Sequence, residues 1–244
     1  MTDADVLAFG AHPDDIELGC GGTLAKLIDA GRSVVLVDMT RGELGTRGTV
    51  EIRRSEAEAA RVILGAGARV NLALPDGDLS PTFAAKRAVV EVIRRFRPQL
   101  IFVPHRRDRH PDHMRASEIV YEGAFLAGLP RYETGQASHR PERVLYYMGW
   151  AEFTPLFIVD ISAQFERKME AIRAYGSQFT LSDPAYPPTS LTDPATDRLI
   201  RSRMAYYGAC IGKEYGEGFL IRGVLEIEDP LDARFSSFRG GSCV

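Results

Sequence analysis

Apolar positions recur in two rhythms along the 244-residue chain. Near-continuous apolar runs at Val6–Ala11, Ser33–Met39 and Gln99–Pro104 predict strands buried on both faces, the pattern of a parallel sheet. Helical spacing replaces them over Glu51–Leu64 and Phe83–Phe96. In the second of these, Ala85, Val89, Val92 and Phe96 point inward, while Lys86, Arg87, Arg94 and Arg95 form a solvated face. Gly22–Ala30 predicts a first helix, stopped by Gly31 in the C′ position, and another runs from Pro111 or Asp112 to about Leu126. Val70–Leu74, Arg143–Met148, Phe157–Ile161 and Phe219–Ile227 read as further strands. Ser162 is expected to cap a helix reaching Tyr175, and Asp197–Cys210 is the last helix.

Helix and strand therefore alternate without an internal repeat. The expectation is one α/β domain over residues 1–244, a Rossmann-like, doubly wound and mostly parallel sheet with helices on both faces. Residues 176–196, with Pro184, Pro187, Pro188 and Pro194, make an unusually long irregular loop, expected to cover a pocket or to meet another subunit. Residues 235–244 read as a loose tail.

Composition narrows the class. Hydrophobic residues are 45% and charged ones 26%, as in an ordinary soluble protein, and a net charge of −3 offers no surface for nucleic acid or membrane. No run reaches membrane-spanning length and the start is no signal peptide, so a cytoplasmic location is expected. Cys20, Cys210 and Cys243 show no metal-ligand spacing, and Cys20, within the early glycines, is expected to be reduced and buried.

Chemistry concentrates at two strand ends. His12-Pro13-Asp14-Asp15-Ile16-Glu17 follows the first strand, with Gly19, Gly21 and Gly22 behind it, and Asp108-Arg109-His110-Pro111-Asp112-His113 follows the strand at Gln99–Pro104. Ligands bind at the carboxyl edge of an open α/β sheet, and imidazoles among carboxylates suit a divalent cation. Catalytic zinc takes three N and O ligands and keeps one position open; His12, Asp15 and His113 would supply that set. Asp14 and His110 would then stand beside the metal. Glu17 is read as a structural acid that fixes the loop.

AHPDDIELGCGG followed by RDRHPDH resembles the LmbE-like, or PIG-L, family of zinc-dependent N-acetylglucosaminyl deacetylases, from Val6 to about Phe179. Within it the chain looks most like the bacillithiol-pathway deacetylases. The resemblance implies one Zn2+ held by His12, Asp15 and His113, with Asp14 as general base. His110 would be the acid or electrophile, protonated in that role, and Asp112 would orient it and raise its pKa. Arg53, and with it Arg109, would bind substrate. The implied substrate is N-acetylglucosaminyl malate, with a chitooligosaccharide-like or mycothiol-type conjugate as the alternative; such relatives are often hexamers. Two rivals come from other classes. A nucleotide-binding module would want G-x-G-x-x-G, whereas this turn reads G-x-G-G behind three acids that would repel a pyrophosphate. A two-metal phosphoesterase would want further bridging carboxylates.

Overall fold

The computed structural model describes residues 3–181 and 184–231. The predicted tail at 235–244 lies outside them. Seven strands form one sheet in the order β3-β2-β1-β4-β5-β7-β6. β1 (Val6–Gly10), β2 (Val34–Asp38), β3 (Ala68–Asn71), β4 (Leu100–Pro104) and β5 (Arg143–Tyr147) run parallel. β7 (Gly216–Ile221) pairs antiparallel with β5 on one side and with β6 (Phe157–Asp160) on the other. β1 has β2 on one flank and β4 on the other, so the winding direction reverses there. A crevice opens at such a switch point, beyond the carboxyl ends of the two strands.

Alternation along each strand explains the continuous apolar runs. Leu7, Phe9, Val35, Val37, Ile101 and Val103 face one layer, where α3 (Phe83–Phe96) and α4 (Pro111–Ala127) pack together. Val6, Ala8, Val34, Leu36 and Phe102 face the other, covered by α1 (Asp15–Asp29), α2 (Val50–Leu64) and α5 (Phe165–Arg173). A short α6 (Gly176–Phe179) follows, and α7 (Pro194–Cys210) packs against β7.

The structure departs from the sequence reading where a buried charge or a close approach overrides pattern. α1 begins at Asp15, not Gly22, so the early glycines lie inside a helix. Gly19 lies against the Tyr147 ring, which leaves no room for a Cβ, and a Cβ on Gly22 would come within 2.7 Å of Ile161. Glycine costs about 1 kcal/mol against alanine within a helix, and here close packing offsets it. β7 starts earlier than predicted because Glu217 breaks the apolar pattern yet is buried, and β3 starts earlier because Arg69 does the same. Ser162 caps no helix by its side chain: it opens a 3-10 turn, its hydroxyl donating to Asp160 Oδ1 at 2.7 Å, and α5 starts at Phe165. Arg94, expected on the solvated face of α3, is buried with its guanidinium on the carbonyls of Ala127, Leu129 and Tyr132.

The charge in β7 has a partner. Lys168 Nζ lies 2.6 Å from Glu217 Oε1, both fully buried, and also donates to the Leu18 carbonyl at 2.8 Å. Glu217 in turn accepts the backbone N–H groups of Gly22 (3.0 Å) and Thr23 (2.7 Å). The pair thus ties α5 and β7 to the middle of α1, the helix whose first turn carries Asp15. Removing one partner of a buried pair leaves an uncompensated charge, at a cost of about 3–5 kcal/mol. Lys168→Met should lower stability by about that much in urea unfolding, and Lys168→Met/Glu217→Gln should recover part of the loss. A single variant within about 0.5 kcal/mol of wild type would remove the pair from this role.

Candidate metal and catalytic centre

β1 and β4 end side by side, and the chain turns into α1 and α4 directly above them. Both predicted clusters therefore meet. Asp15 stands between the two candidate histidines: Oδ2 is 3.3 Å from His12 Nδ1, and Oδ1 is 3.0 Å from His113 Nε2. The outer nitrogens of both rings also face carboxylates. His12 Nε2 lies 3.1 Å from Asp76 and 3.2 Å from Asp112, and His113 Nδ1 lies 3.3 Å from Asp108, an ion-pair contact without hydrogen-bond alignment. Carboxylates behind the outer nitrogens of metal-ligating histidines fix the rings and raise their basicity. The inner donors are then two imidazole nitrogens and a carboxylate, a set that zinc accepts. Two groups of ligand atoms lie within 4.8 Å of one another, His12 with His110 and His113, and His12 with Asp76 and Asp112.

Electrostatics follow from this crowding. Burial works against charge on Asp15, yet the adjacent His113 and His12 outweigh it and hold the carboxyl well below the usual range. His113 likewise resists burial, and Asp15 and Asp108 raise it to about 9. Asp108 is held at about 2 against its own burial by His113 and by the N–H groups of His110 and Trp150. Asp14 behaves otherwise: burial pushes it up to about 7, with Arg53 pulling down and Asp15 pushing up. It occupies the N-cap of α1 at φ 114°, in the left-handed region, and makes no side-chain cap hydrogen bond. Such backbone conformations carry strain that concentrates at functional sites.

Residues 7–124 match the PIG-L family, described as GlcNAc-PI de-N-acetylase. The diacetylchitobiose deacetylase of Thermococcus kodakarensis is 33% identical over 228 residues, covering 87% of this chain and 81% of that protein. The chain belongs to the PIG-L deacetylase family. A solved conserved protein of Thermus thermophilus shares 37% identity at a TM-score of 0.84, over 92% of this chain and 97% of its own. The N,N'-diacetylchitobiose deacetylase of Pyrococcus horikoshii, solved with its inhibitor MPG, shares 30% identity at a TM-score of 0.78, over 90% and 84%.

In this PIG-L site, Asp112 and His110 are coupled differently from the sequence expectation. The Asp112 carboxylate accepts the N–H groups of Gly77 (2.8 Å) and Leu79 (3.3 Å) and meets His12, whereas its backbone N–H donates to His110 Nδ1 at 3.2 Å. With Nδ1 accepting, a neutral His110 ring would carry its hydrogen on Nε2. Burial, then His12 and His113, lower its pKa, while Asp15 and Asp112 pull it upward, so Asp112 acts in the expected direction without reversing the net shift. Arg53 is buried and donates through Nη2 to the Pro13 carbonyl and to Asp14 Oδ2 (3.3 Å). Arg109 is exposed, its guanidinium 4.6 Å from the Trp150 ring centre. Glu17 is the structural acid expected, bound to Arg69, which also forks onto Asp38. Cys20 is buried, and burial pushes its thiol well up, as an inert cysteine.

Three participants escaped the sequence reading. Asp76, Asp108 and Trp150 carry no role in the sequence pattern, yet all three stand at the centre. Asp108, two before His110, had a detectable signal, since an Asp side chain caps the N–H two residues on, here at 2.9 Å. Its other oxygen accepts the N–H of Trp150 at 2.8 Å, which holds the loop between β5 and β6 against His113. The open pocket above the centre is a cavity of about 240 Å³. A larger hollow of about 460 Å³ lies beyond Pro13, but its buried Arg69 is already paired and no such donor group lines it.

The pocket wall comes from two loops. Leu44 and Gly45 line it from the loop after β2, Gln178 from α6 and Leu191 from the segment before α7. Arg47 joins them: fully buried, it donates to the carbonyls of Ser177, Thr180, Tyr186 and Pro187 at 2.8–3.0 Å. Hydrogen bonds from a charged donor are worth about 1.5–3 kcal/mol each. Arg47→Ala should therefore expose residues 176–191 to limited proteolysis and raise KM roughly tenfold or more, with metal content unchanged. Unaltered proteolysis and KM would show that the wall stands without it.

Proposed function

We propose that this chain is a zinc-dependent hydrolase that removes the acetyl group from an N-acetylglucosamine-type sugar. The reading is carried by Asp15, set between His12 Nδ1 and His113 Nε2 while carboxylates hold both outer nitrogens. His12, Asp15 and His113 would hold the ion. When bound, zinc supplies Lewis acidity and makes water nucleophilic near neutral pH.

The chain's own groups then divide the proton work. Asp14 takes a proton from the attacking water as oxygen adds to the acetamide carbon; a base poised near 7 suits this task. Arg53, on the Pro13 carbonyl and the Asp14 carboxylate, positions that base. His110 Nε2–H donates to the carbonyl oxygen as it gains charge, which needs no protonated imidazole. Asp14 returns its proton to the departing nitrogen as the C–N bond breaks, and acetic acid and the amine leave, the acid's proton passing to the amine to give acetate and an ammonium.

The engagement of Arg53 bears on the aglycone. Both bonds of Arg53 use Nη2, while its Nε has no partner and the residue lines the pocket, so it can still meet a substrate oxygen; a neutral sugar is favoured over N-acetylglucosaminyl malate by the similarity to diacetylchitobiose deacetylases. Arg109, stacked on Trp150 at the rim, would then meet the outer part of the substrate. Acetate release from N,N'-diacetylchitobiose should exceed that from N-acetylglucosaminyl malate; the reverse order would restore the bacillithiol-pathway reading.

Metal and base are separable. Metal analysis should find about one zinc per chain, lost in His113→Ala together with activity. Asp14→Asn should keep the zinc and lose roughly 10²–10⁴-fold in kcat. Two metals per chain would load the His12, Asp76 and Asp112 group as well and favour the phosphoesterase.

A further inference from the structure

A second, much smaller space adjoins the candidate centre. Asp15, Leu18, His113 and Trp150 line both it and the open pocket, so the two share a wall at the proposed metal ligands. Its remaining walls include Tyr147, Ile200 and Met204, all buried. The cavity volume is about 30 Å³, against about 240 Å³ for the open pocket. A space of that size admits only a small group, and a water there would need two to four polar partners. Asp15 is committed to both histidines, the Tyr147 hydroxyl to the Phe9 carbonyl at 2.9 Å, and Arg203 Nη1 to the Gly149 carbonyl at 2.6 Å. His113 Nδ1 and Arg203 Nε have no hydrogen bond but face Asp108 at 3.3 Å and Glu152 at 3.7 Å, and Leu18, Ile200, Met204 and the Tyr147 and Trp150 rings make the rest of the lining apolar. An apolar group of that size is a methyl.

We propose that this chamber receives the methyl of the acyl group, and that Ile200 on α7 sets the longest acyl chain the site accepts. The proposal rests on the deacetylase reading and adds the acyl specificity to it. Tyr147, Ile200 and Met204 all lie beyond residue 124, where the match to the PIG-L family ends. Acyl length is thus read by a part of the chain outside the segment that carries both motifs. Met204 also touches Lys168 Nζ through its sulfur at 3.8 Å, so its substitution would disturb the buried pair. Ile200 is the cleaner probe.

The test uses the zinc-loaded protein and two readouts. The first is hydrolysis of the N-acetyl, N-propionyl and N-butyryl forms of one glucosamine-based substrate. A single methylene in such a pocket discriminates by about 10–200-fold, so wild type should favour acetyl over butyryl by at least tenfold in kcat/KM. Ile200→Val should narrow that ratio and Ile200→Ala narrow it further, while Ile200→Phe should lose acetyl turnover with zinc retained. The second readout is calorimetric binding of acetate, propionate and butyrate, which requires no turnover. Acetate should bind best to wild type, with butyrate gaining on it in Ile200→Val and Ile200→Ala. The graded pair keeps the test decisive should the alanine variant fold poorly. Equal use of acetyl and butyryl substrates by wild type, or a ratio unmoved in every Ile200 variant, would overturn the chamber while leaving the deacetylase reading intact. Carboxylates ranked as expected on a protein that hydrolyses none of the amides would instead sink the deacetylase reading and keep the chamber.

Discussion

One carboxylate holds the centre together. Asp15 is the first residue of α1, and its two oxygens reach a histidine from each of two strand ends. β1 and β4 are neighbours only because the sheet reverses its winding between them. Without that reversal the two motifs, about a hundred residues apart, would stand on different parts of the sheet edge. The same helix is clasped at its middle by Lys168 and Glu217, so the position of Asp15 is set from below as well as from its own loop.

Charge in this protein is placed by partners. Arg69, Lys168, Glu17 and Glu217 are buried against one another or against Asp38. Asp14 is the exception, since its burial outweighs the pull of Arg53 and leaves it near neutrality. Two adjacent aspartates thus acquire opposite tendencies: Asp15, beside two imidazoles, keeps its charge, and Asp14, beside one arginine and another acid, gives it up readily. That divergence within one dipeptide is what the proposed ligand and the proposed base require of the same residue type.

Much of this was legible in the sequence, for identifiable reasons. Parallel strands buried on both faces are apolar throughout, so β1, β2 and β4 announced themselves, and the His and Asp residues at their ends could be paired by chemistry alone. Apart from Ser162, whose hydroxyl turns to nearby Asp160, what failed shares one cause: the deciding contact lies far along the chain. The glycines of α1 read as a turn because Tyr147 and Ile161, which demand them, are more than a hundred residues away. β3 and β7 were misplaced because a buried Arg69 and a buried Glu217 look like surface residues until their partners are known. Asp112 was assigned to its neighbour His110, and only the fold shows its carboxylate turned to His12 and to the loop before α3.

The Arg47 clamp has a consequence for how the pocket wall can change. All four of its acceptors are backbone carbonyls, which every amino acid carries. Gln178 and Leu191, which line the pocket, are not among those acceptors, so the clamp's four bonds do not depend on the side chains that face the substrate space. Arg47 anchors the wall by its main chain, so a change at Leu191 can reshape the pocket for a different sugar without touching the clamp.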